Sequence, residues 1–324
     1  MTPPAKRPKS LFMKQLPRAT IHLSNIVSNW QALDGLHPGA TTAAVVKADA
    51  YGLGAVPVAR ALLRSGCSTF FVAYLEEALA VRKALGLGPR IFVLNGPTRK
   101  EMSAYIAAGI TAVLSSPDHL KAWANAPKGT SALHFDTGMN RLGLKAAALA
   151  TTLTDLQRLQ PVLVMSHLAC ADETGNAMNT AQLKAFDDIA SAFPDTPASL
   201  ANSAGCYLGK GFGYDLIRPG IGLYGGSLPP KGLRIKQALT LDAAILSVFD
   251  GKAGETVGYG ATQTLQQDTQ LATVGIGYAD GLPRTGGNNL VAYLDDVPCP
   301  VVGRISMDLT TIDVSKAQDK AKTG

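Results

Sequence analysis

AAVVKADAYGLGA, residues 43–55, decides how the larger part of this 324-residue chain folds. Residues 43–46 form a short apolar run with a β-branched pair, and Gly52 and Gly54 follow closely. Such a run, closed by a glycine-rich stretch, reads as a buried strand leaving into a loop. Lys47 stands where the strand ends. A lysine there either lays its stem along apolar surface and sends its amine to water, or keeps the amine at the strand end for chemistry. For one lysine alone the first reading is the ordinary one.

Working outward, similar apolar runs recur at residues 69–73, 91–94, 111–114, 133–135, 162–165, 198–201 and 216–217. Between them lie stretches such as residues 76–83 that read as amphipathic helix. Eight β-then-α units predict an α/β fold, a closed TIM-type (β/α)8 barrel, with an open doubly wound sheet as the competing topology. The polar residues favour the barrel. Lys47, Asn95, Asp136, His167, Asn202, Ser203 and Arg218 fall at or just past the C-terminal ends of these strands. In a barrel those ends ring one face, where active sites sit. After about residue 232 short apolar runs are separated by glycine turns without intervening helices, which reads as a smaller, mostly β domain. The division expected is therefore a barrel over 18–232 and a β domain over 233–324, with the strand-like segment 19–23 belonging to either.

The chain is 46% hydrophobic with a formal net charge of +6. Much of the excess lies in Lys6, Arg7, Lys9, Lys14 and Arg18. No recognition motif follows them, so residues 1–17 read as a flexible basic tail rather than a nucleic-acid or membrane contact. No apolar stretch of about 7–15 residues follows the basic start, which excludes a secretory signal. No window approaches roughly 18 uncharged apolar residues, which excludes a spanning helix. Cys67, Cys170, Cys206 and Cys299 form no CxxC pair. That argues against a disulfide framework or a structural zinc site and for a reducing cytoplasm.

Several stretches carry chemistry. A lysine partly shielded at a barrel mouth has its charged form disfavoured, and its free amine can attack a carbonyl. In RPGIGLYG (218–225), Gly220 and Gly222 let the backbone approach a ligand and turn N–H groups toward an anion. ANSAGC (201–206) offers the Ser203 hydroxyl one strand earlier. Loops after the seventh and eighth strands of a barrel often build a phosphate site. MSHLACAD (165–172) ends its strand with His167, which alone reads as a hydrogen-bonded scaffold residue. HFDTGMNRLG (134–143) supplies Asp136 and Arg141, and arginine suits a carboxylate clamp. In the β domain, VGYGATQT (257–264), GIGYADG (275–281) and GRISMDLTTID (303–313) present Tyr259, Tyr278, Met307 and Asp308. Taken singly, tyrosines on glycine loops are turn residues.

As an ordered set these stretches resemble the alanine racemases, fold-type III pyridoxal 5'-phosphate enzymes, from about residue 18 to residue 313. The resemblance implies a barrel followed by a β domain, and a homodimer whose active sites each combine one barrel with the partner's β domain. It implies racemisation of L- and D-alanine by two bases, Lys47 holding the cofactor and working on one face of the substrate, Tyr259 from the other subunit on the opposite face. Arg218 would face the pyridine nitrogen and His167 would bridge Arg218 and Tyr259. Tyr51, Ser203 and the backbone of Gly220 and Ile221 would bind the phosphate, with Asn202 steadying them. Arg141 and the Met307 amide would hold the substrate carboxylate, and Tyr278 and Asp308 would shape the approach. The product would be D-alanine for cell-wall peptidoglycan. No metal is implied.

Two departures stand out. Many family members carry a lysine, often carbamylated, seven residues before the clamp arginine; here that position is His134. The family's β domain also runs some tens of residues longer and brings a late tyrosine to the phosphate, so 233–324 reads as incomplete. Competing functions are a racemase of other or broader amino-acid specificity and a non-catalytic carrier of the same cofactor. Carriers resemble the barrel alone, so Tyr259 and Met307 speak against the second.

Overall fold

The computed structural model describes residues 16–124 and 129–323; the basic stretch from Lys6 to Lys14 lies outside them. The chain divides into two compact units, Ile21–Leu239 and Met1–Thr20 with Thr240–Gly324.

The larger unit is a parallel barrel. Strands Ala44–Val45, Thr69–Val72, Arg90–Val93, Thr111–Leu114, Ser131–Asp136, Val164–Met165 and Ala198–Ser199 lie side by side in chain order. The eighth strand, Leu216–Ile217, pairs with Thr41–Thr42, the first half of the interrupted first strand. Amide bonds from Asp215 to the Ala198 carbonyl (3.1 Å) and from Arg218 to the Ala201 carbonyl (3.0 Å) join it to the seventh, which closes the ring. The competing open sheet is thereby excluded.

Side chains alternate across each strand. Val45, Phe71, Phe92, Val113, Ala132, Met165 and Leu216 fill the barrel interior, with Phe71 stacked on Phe92 at 4.6 Å. Their neighbours Ala44, Phe70, Ile91, Ala112 and Leu133 face outward against the helices. Six helices follow the first six strands: Ala55–Arg64, Leu75–Leu85, Met102–Ala107, Pro117–Trp123, Leu149–Arg158 and Ala177–Ser191. Their ends carry ordinary signals. Ser116 and Asn176 cap with side-chain oxygens, and Glu76, Glu77, Arg82 and Lys83 complement the dipole of their helix. The buried Arg82 also donates to the carbonyls of Gly86, Pro89, Ala108 and Gly109, tying together the face opposite the strand C-termini.

The last two units depart from the eight-helix expectation. Strands seven and eight are followed by 3-10 turns, Gly205–Tyr207, Lys210–Phe212 and Ile221–Tyr224. Gly205, Gly209, Gly211, Gly213, Gly220, Gly222 and Gly225 interrupt any helix there. The helix Leu23–Asp34 covers that gap: its Asn29 amide donates to the carbonyls of Leu223 (2.9 Å) and Lys236 (2.8 Å). The Lys236 amide returns a bond to Asn29 Oδ1, and Asn25 reaches the Gln237 carbonyl. These bonds keep residues 233–238 with the barrel, beyond the expected boundary at 232.

The smaller unit is β with short turns and, among the described residues, no α-helix. Ile245–Gly251, Thr269–Val274 and Thr310–Asp313 form an antiparallel sheet. Val291–Leu294 pairs with Val297–Pro300, Thr256–Val257 with Gln263–Thr264, and Leu239–Asp242 with Arg18–Ile21. Its own core includes Ile245, Ala272, Val274, Cys299, Ile305 and Ile312.

Candidate active site

Lys47 ends the first strand half-buried, and the chain then turns the wrong way for L-residues. Ala48, Asp49, Ala50 and Tyr51 have φ of 51°, 52°, 55° and 58°, a full left-handed turn. Left-handed helical backbone costs roughly 1–2 kcal/mol per L-residue, and such strain persists where surrounding contacts over-determine it. Here they do. The amides of Ala50, Gly52 and Gly54 bond the carbonyls of Val46, Ala48 and Asp49. Asp49 Oδ1 accepts the Ala55 amide at 2.6 Å, and Glu77 Oε1 accepts the Ala48 amide at 2.6 Å. The turn carries the Tyr51 ring to 4.8 Å from that of Tyr224, whose hydroxyl donates to the Val45 carbonyl. Sequence reasoning missed both Glu77 and Tyr224.

The loops after strands seven and eight close against Tyr51. Ser203 Oγ accepts the amides of Gly220 (2.8 Å) and Gly222 (3.0 Å), so its own O–H is left to donate. The Ile221 amide has no partner among the described residues. A Cβ on Gly220 would meet the Tyr51 hydroxyl at 2.4 Å, so only glycine fits beneath it. Asn202 braces the loop, accepting the Gly205 amide at 2.9 Å and donating to the Leu168 carbonyl. Arg218, 4% exposed, donates from its terminal nitrogens to Ser199 Oγ and to the carbonyls of Ser166 and Leu200. Its Nε has no hydrogen bond among the described residues. The structure shows no bond between Arg218 and His167; the two terminal nitrogens are spent on strands six and seven.

The fifth strand ends in a loop folded around Asp136. Its Oδ1 accepts the amides of Gly138 and Asn140, both at 3.0 Å, and Oδ2 pairs with Lys145. Burial raises the Asp136 carboxyl, but the Lys145 bond and the two amides outweigh it and hold it below the usual range. Gly143 (φ 136°) lets Leu144–Lys145 pair back onto the strand; a Cβ there would strike the Asp136 amide at 2.5 Å. Gln182, fully buried on the helix Ala177–Ser191, ties this loop to the sixth. It donates to the His167 carbonyl (2.9 Å) and Thr137 Oγ1 (3.1 Å) and accepts the Ala169 amide (2.8 Å). His134 is 7% exposed, its Nδ1 has no partner among the described residues, and no bond joins it to Arg141.

A cavity of about 630 Å³ opens at this mouth, within the range of small-ligand sites. Lys47, Tyr51, Arg141 and His167 line it from the first, fifth and sixth strand ends. Asn202, Ser203, Arg218, Gly220 and Ile221 line it from the last two. Val45, Phe71 and Leu94 are also on its walls, as are Tyr207, Ser227 and the segment Leu228–Pro230. Asn95 is not among its lining residues. The site is electropositive. Burial, then Arg141, lowers the Lys47 amine, against Glu77. Burial, then Arg218 and Arg141, lowers His167 well below its ordinary value and His134 to about 4. Burial brings Arg218 down to about 10, so it stays charged at neutral pH. Burial raises the Tyr51 phenol, keeping its proton available to donate.

The remaining predicted residues lie together in the β unit. Tyr259, 70% exposed, sits on a turn between Gly258 and Gly260, which pass close to Arg304. The amides of Tyr278 and Ala279 bond the carbonyls of Ser306 and Met307 (3.1 and 2.9 Å). Met307 is 56% exposed, and Tyr278 and Asp308 are exposed beside it. These loops leave two phenols, a thioether and a carboxylate exposed.

A barrel mouth with an amine of lowered basicity, a buried permanent cation and unspent hydroxyl, amide and guanidine donors suits an anionic, carbonyl-bearing cofactor. Family models narrow the class: residues 21–228 match the alanine racemase N-terminal domain and residues 238–324 the alanine racemase C-terminal domain. The chain belongs to the alanine racemase family. It is 47% identical over 307 residues to the alanine racemase of Rhodospirillum rubrum, covering 91% of this chain and 82% of that protein. It is 43% identical to a catabolic alanine racemase of Agrobacterium fabrum, covering 91% and 79%. The crystal structure of alanine racemase from Bartonella henselae with covalently bound pyridoxal phosphate superposes with a TM-score of 0.86 at 35% identity, covering 95% and 88%.

Proposed function

We propose that this protein is a pyridoxal-phosphate-dependent alanine racemase working by two opposed bases. The observation that carries the reading is the set of unspent groups in one cavity: the Lys47 amine, the Ser203 O–H, the Ile221 N–H and Arg218 Nε. They suit an aldehyde, a phosphate and a ring nitrogen. The cofactor, when bound, supplies a sink for the electron pair left on the substrate's α-carbon. Lys47 would hold it covalently and, once the substrate's own amine has displaced it, would move a proton at the α-carbon on one face. Burial and Arg141 lower its basicity, which favours the unprotonated form that the task needs. Tyr259 of the partner subunit moves a proton on the opposite face. Arg218, charged at neutral pH, disfavours a second positive charge on the ring nitrogen. Tyr51, Ser203 and the Ile221 amide bind the phosphate. Gly220 contributes by letting Tyr51 come close, since its own amide is engaged by Ser203. Asn202 and His167 complete the cofactor pocket.

Arg141 and the amide of Met307 of the partner subunit hold the substrate carboxylate, and the partner's Tyr278 and the partner's Asp308 shape the approach. The protein therefore works as a homodimer. In the cell it acts in the cytoplasm and provides D-alanine for peptidoglycan. Incubation of L-alanine, L-serine and L-lysine with the protein and pyridoxal phosphate in D₂O, followed by chiral analysis, tests the reading. Deuterated D-alanine is expected. Release of no D-amino acid, or borohydride fixation of the cofactor on a lysine other than Lys47, overturns it.

A further inference from the structure

The left-handed turn raises a question that the proton transfers do not answer: what holds Lys47 and Tyr51 in register with the rest of the mouth. The turn's internal bonds run along one segment, 46–54. The Val46 amide joins its near end to the second strand at the Phe71 carbonyl (2.9 Å), and the left-handed residues themselves are tied to that strand's end by one carboxylate. Glu77 Oε1 accepts the Ala48 amide at 2.6 Å, while Oε2 accepts the amides of Ala73 (2.7 Å) and Tyr74 (3.2 Å). Ala73 and Tyr74 directly follow the second strand, which pairs with Ala44–Val45. We propose that Glu77 is a positioning residue of the racemase site, clamping the left-handed turn, and through it the Lys47 amine and the Tyr51 phenol, to the end of the second strand.

The clamp is well built for this. Three amides on one ionised carboxylate are charge-assisted bonds, stronger than neutral ones. Glu77 lies in the first turn of the helix Leu75–Leu85, where the helix dipole favours a negative charge. The bonds to Ala73 and Tyr74 are what a capping glutamate makes in any helix. The bond to Ala48, twenty-nine residues away in sequence, is not a capping bond, and it lands on the first residue of the strained turn. Glu77 does not touch the cavity; it acts through the backbone beside Lys47. Its charge also opposes that of Arg141 at the amine. The inference rests on the proposed function only for what the turn positions, not for the clamp itself.

Glu77→Gln breaks the bridge whichever side it keeps. One amide oxygen can serve Ala48, or Ala73 and Tyr74, but its NH₂ cannot accept from the other side. Hydrogen–deuterium exchange of the full-length cofactor-free protein, read over peptides covering residues 46–54, is compared with pyridoxal phosphate affinity measured by fluorescence titration. In Glu77→Gln, exchange is expected to quicken at least about tenfold in 46–54 and to stay near wild type in the other barrel strands. The affinity for the cofactor is expected to fall at least about tenfold, the loss of roughly one hydrogen bond's worth of registry. Glu77→Asp, one methylene shorter, keeps the charge and is expected to show the same local effect, which covers failure of the first variant to fold. Unchanged exchange in 46–54, a uniform rise across the barrel, or a local rise with affinity within twofold of wild type each overturns the proposal. If wild-type protein binds no pyridoxal phosphate, the proposed function falls while the exchange arm still judges the clamp.

Discussion

Replacing Gly220 by alanine tests the cofactor pocket at its tightest point. The new Cβ would stand 2.4 Å from the Tyr51 hydroxyl and 3.3 Å from Val45 Cβ. Ordinary contact needs about 3.5 Å, so the hydroxyl must retreat by about 1 Å. It is pressed from the other side by Tyr224, at 4.8 Å between ring centres. Gly220 has a negative φ of −123°, so no left-handed penalty is added for alanine. A phenol displaced by about 1 Å leaves the hydrogen-bonding range, roughly 2.5–3.0 Å for O–H···O. One bond to a charged phosphate contributes about 1.5–3 kcal/mol, so affinity for pyridoxal phosphate should drop about 10- to 150-fold. The effect runs through Tyr51, which a double-mutant cycle with Tyr51→Phe can show. Each single variant should weaken binding, and the pair should weaken it little more than either alone. Equilibrium titration of the cofactor-free proteins gives all four constants. Additive losses, or a Gly220→Ala protein that binds like wild type, refute the assignment of Tyr51 to the phosphate.

Other perturbations probe separate parts of the mouth. His134 titrates at about 4 in the folded protein against an ordinary 6.5, chiefly through burial and then through Arg218 and Arg141. Its neutral form therefore contributes stability that is full above pH 6.5 and is lost as pH falls toward 4, about 3 kcal/mol in all. Urea unfolding of His134→Asn should show a flatter acid limb than wild type; parallel limbs would contradict this. Gln182→Leu strands the Ala169 amide and the His167 carbonyl, so about 2–4 kcal/mol of stability should be lost. Turnover should fall more than cofactor affinity, because Tyr51, Ser203 and Ile221 sit on other loops; an equal fall in both counts against that division. Tyr259→Phe should slow α-proton exchange mainly from L-alanine, and equal small losses from both enantiomers would argue against two bases.

The eight strands were legible because most are short apolar runs, broken only by single polar residues such as His134 and Ser199, and the polar residues at their ends marked the mouth. The missing helices after strands seven and eight were legible in principle from the seven glycines between Gly205 and Gly225. The left-handed turn was not. Ala48, Asp49, Ala50 and Tyr51 carry no signal for positive φ, and Gly52 and Gly54 announce a loop without its hand. Glu77 and Gln182 escaped for another reason. On an amphipathic helix a polar residue reads as solvent-facing, and their partners lie 29 and 13–45 residues away, beyond any periodic pattern. Tyr259, Tyr278, Met307 and Asp308 were singled out by the ordered resemblance, because exposed residues on glycine turns have no local signature of chemistry.

The charges at the mouth explain why those distant bonds matter. Lys47, Arg141 and Arg218 share one cavity, and each lowers the basicity of His167. Among the carboxylates nearby, Asp136 is committed to Lys145 and two amides and Glu77 to three amides, which leaves Asp172 on the cavity wall against three cations. The cluster therefore repels itself, and packing and backbone bonds from Glu77, Gln182 and Ser203 hold it together. A bound anion reverses the balance. It favours the protonated forms of Lys47 and His167 and relieves the repulsion between the loops. Binding energy then appears as stability, about 2.7 kcal/mol at a ligand concentration a hundred times the dissociation constant. Variants that loosen the mouth without touching the ligand should gain back part of their lost stability when cofactor is added, and should need more of it to do so.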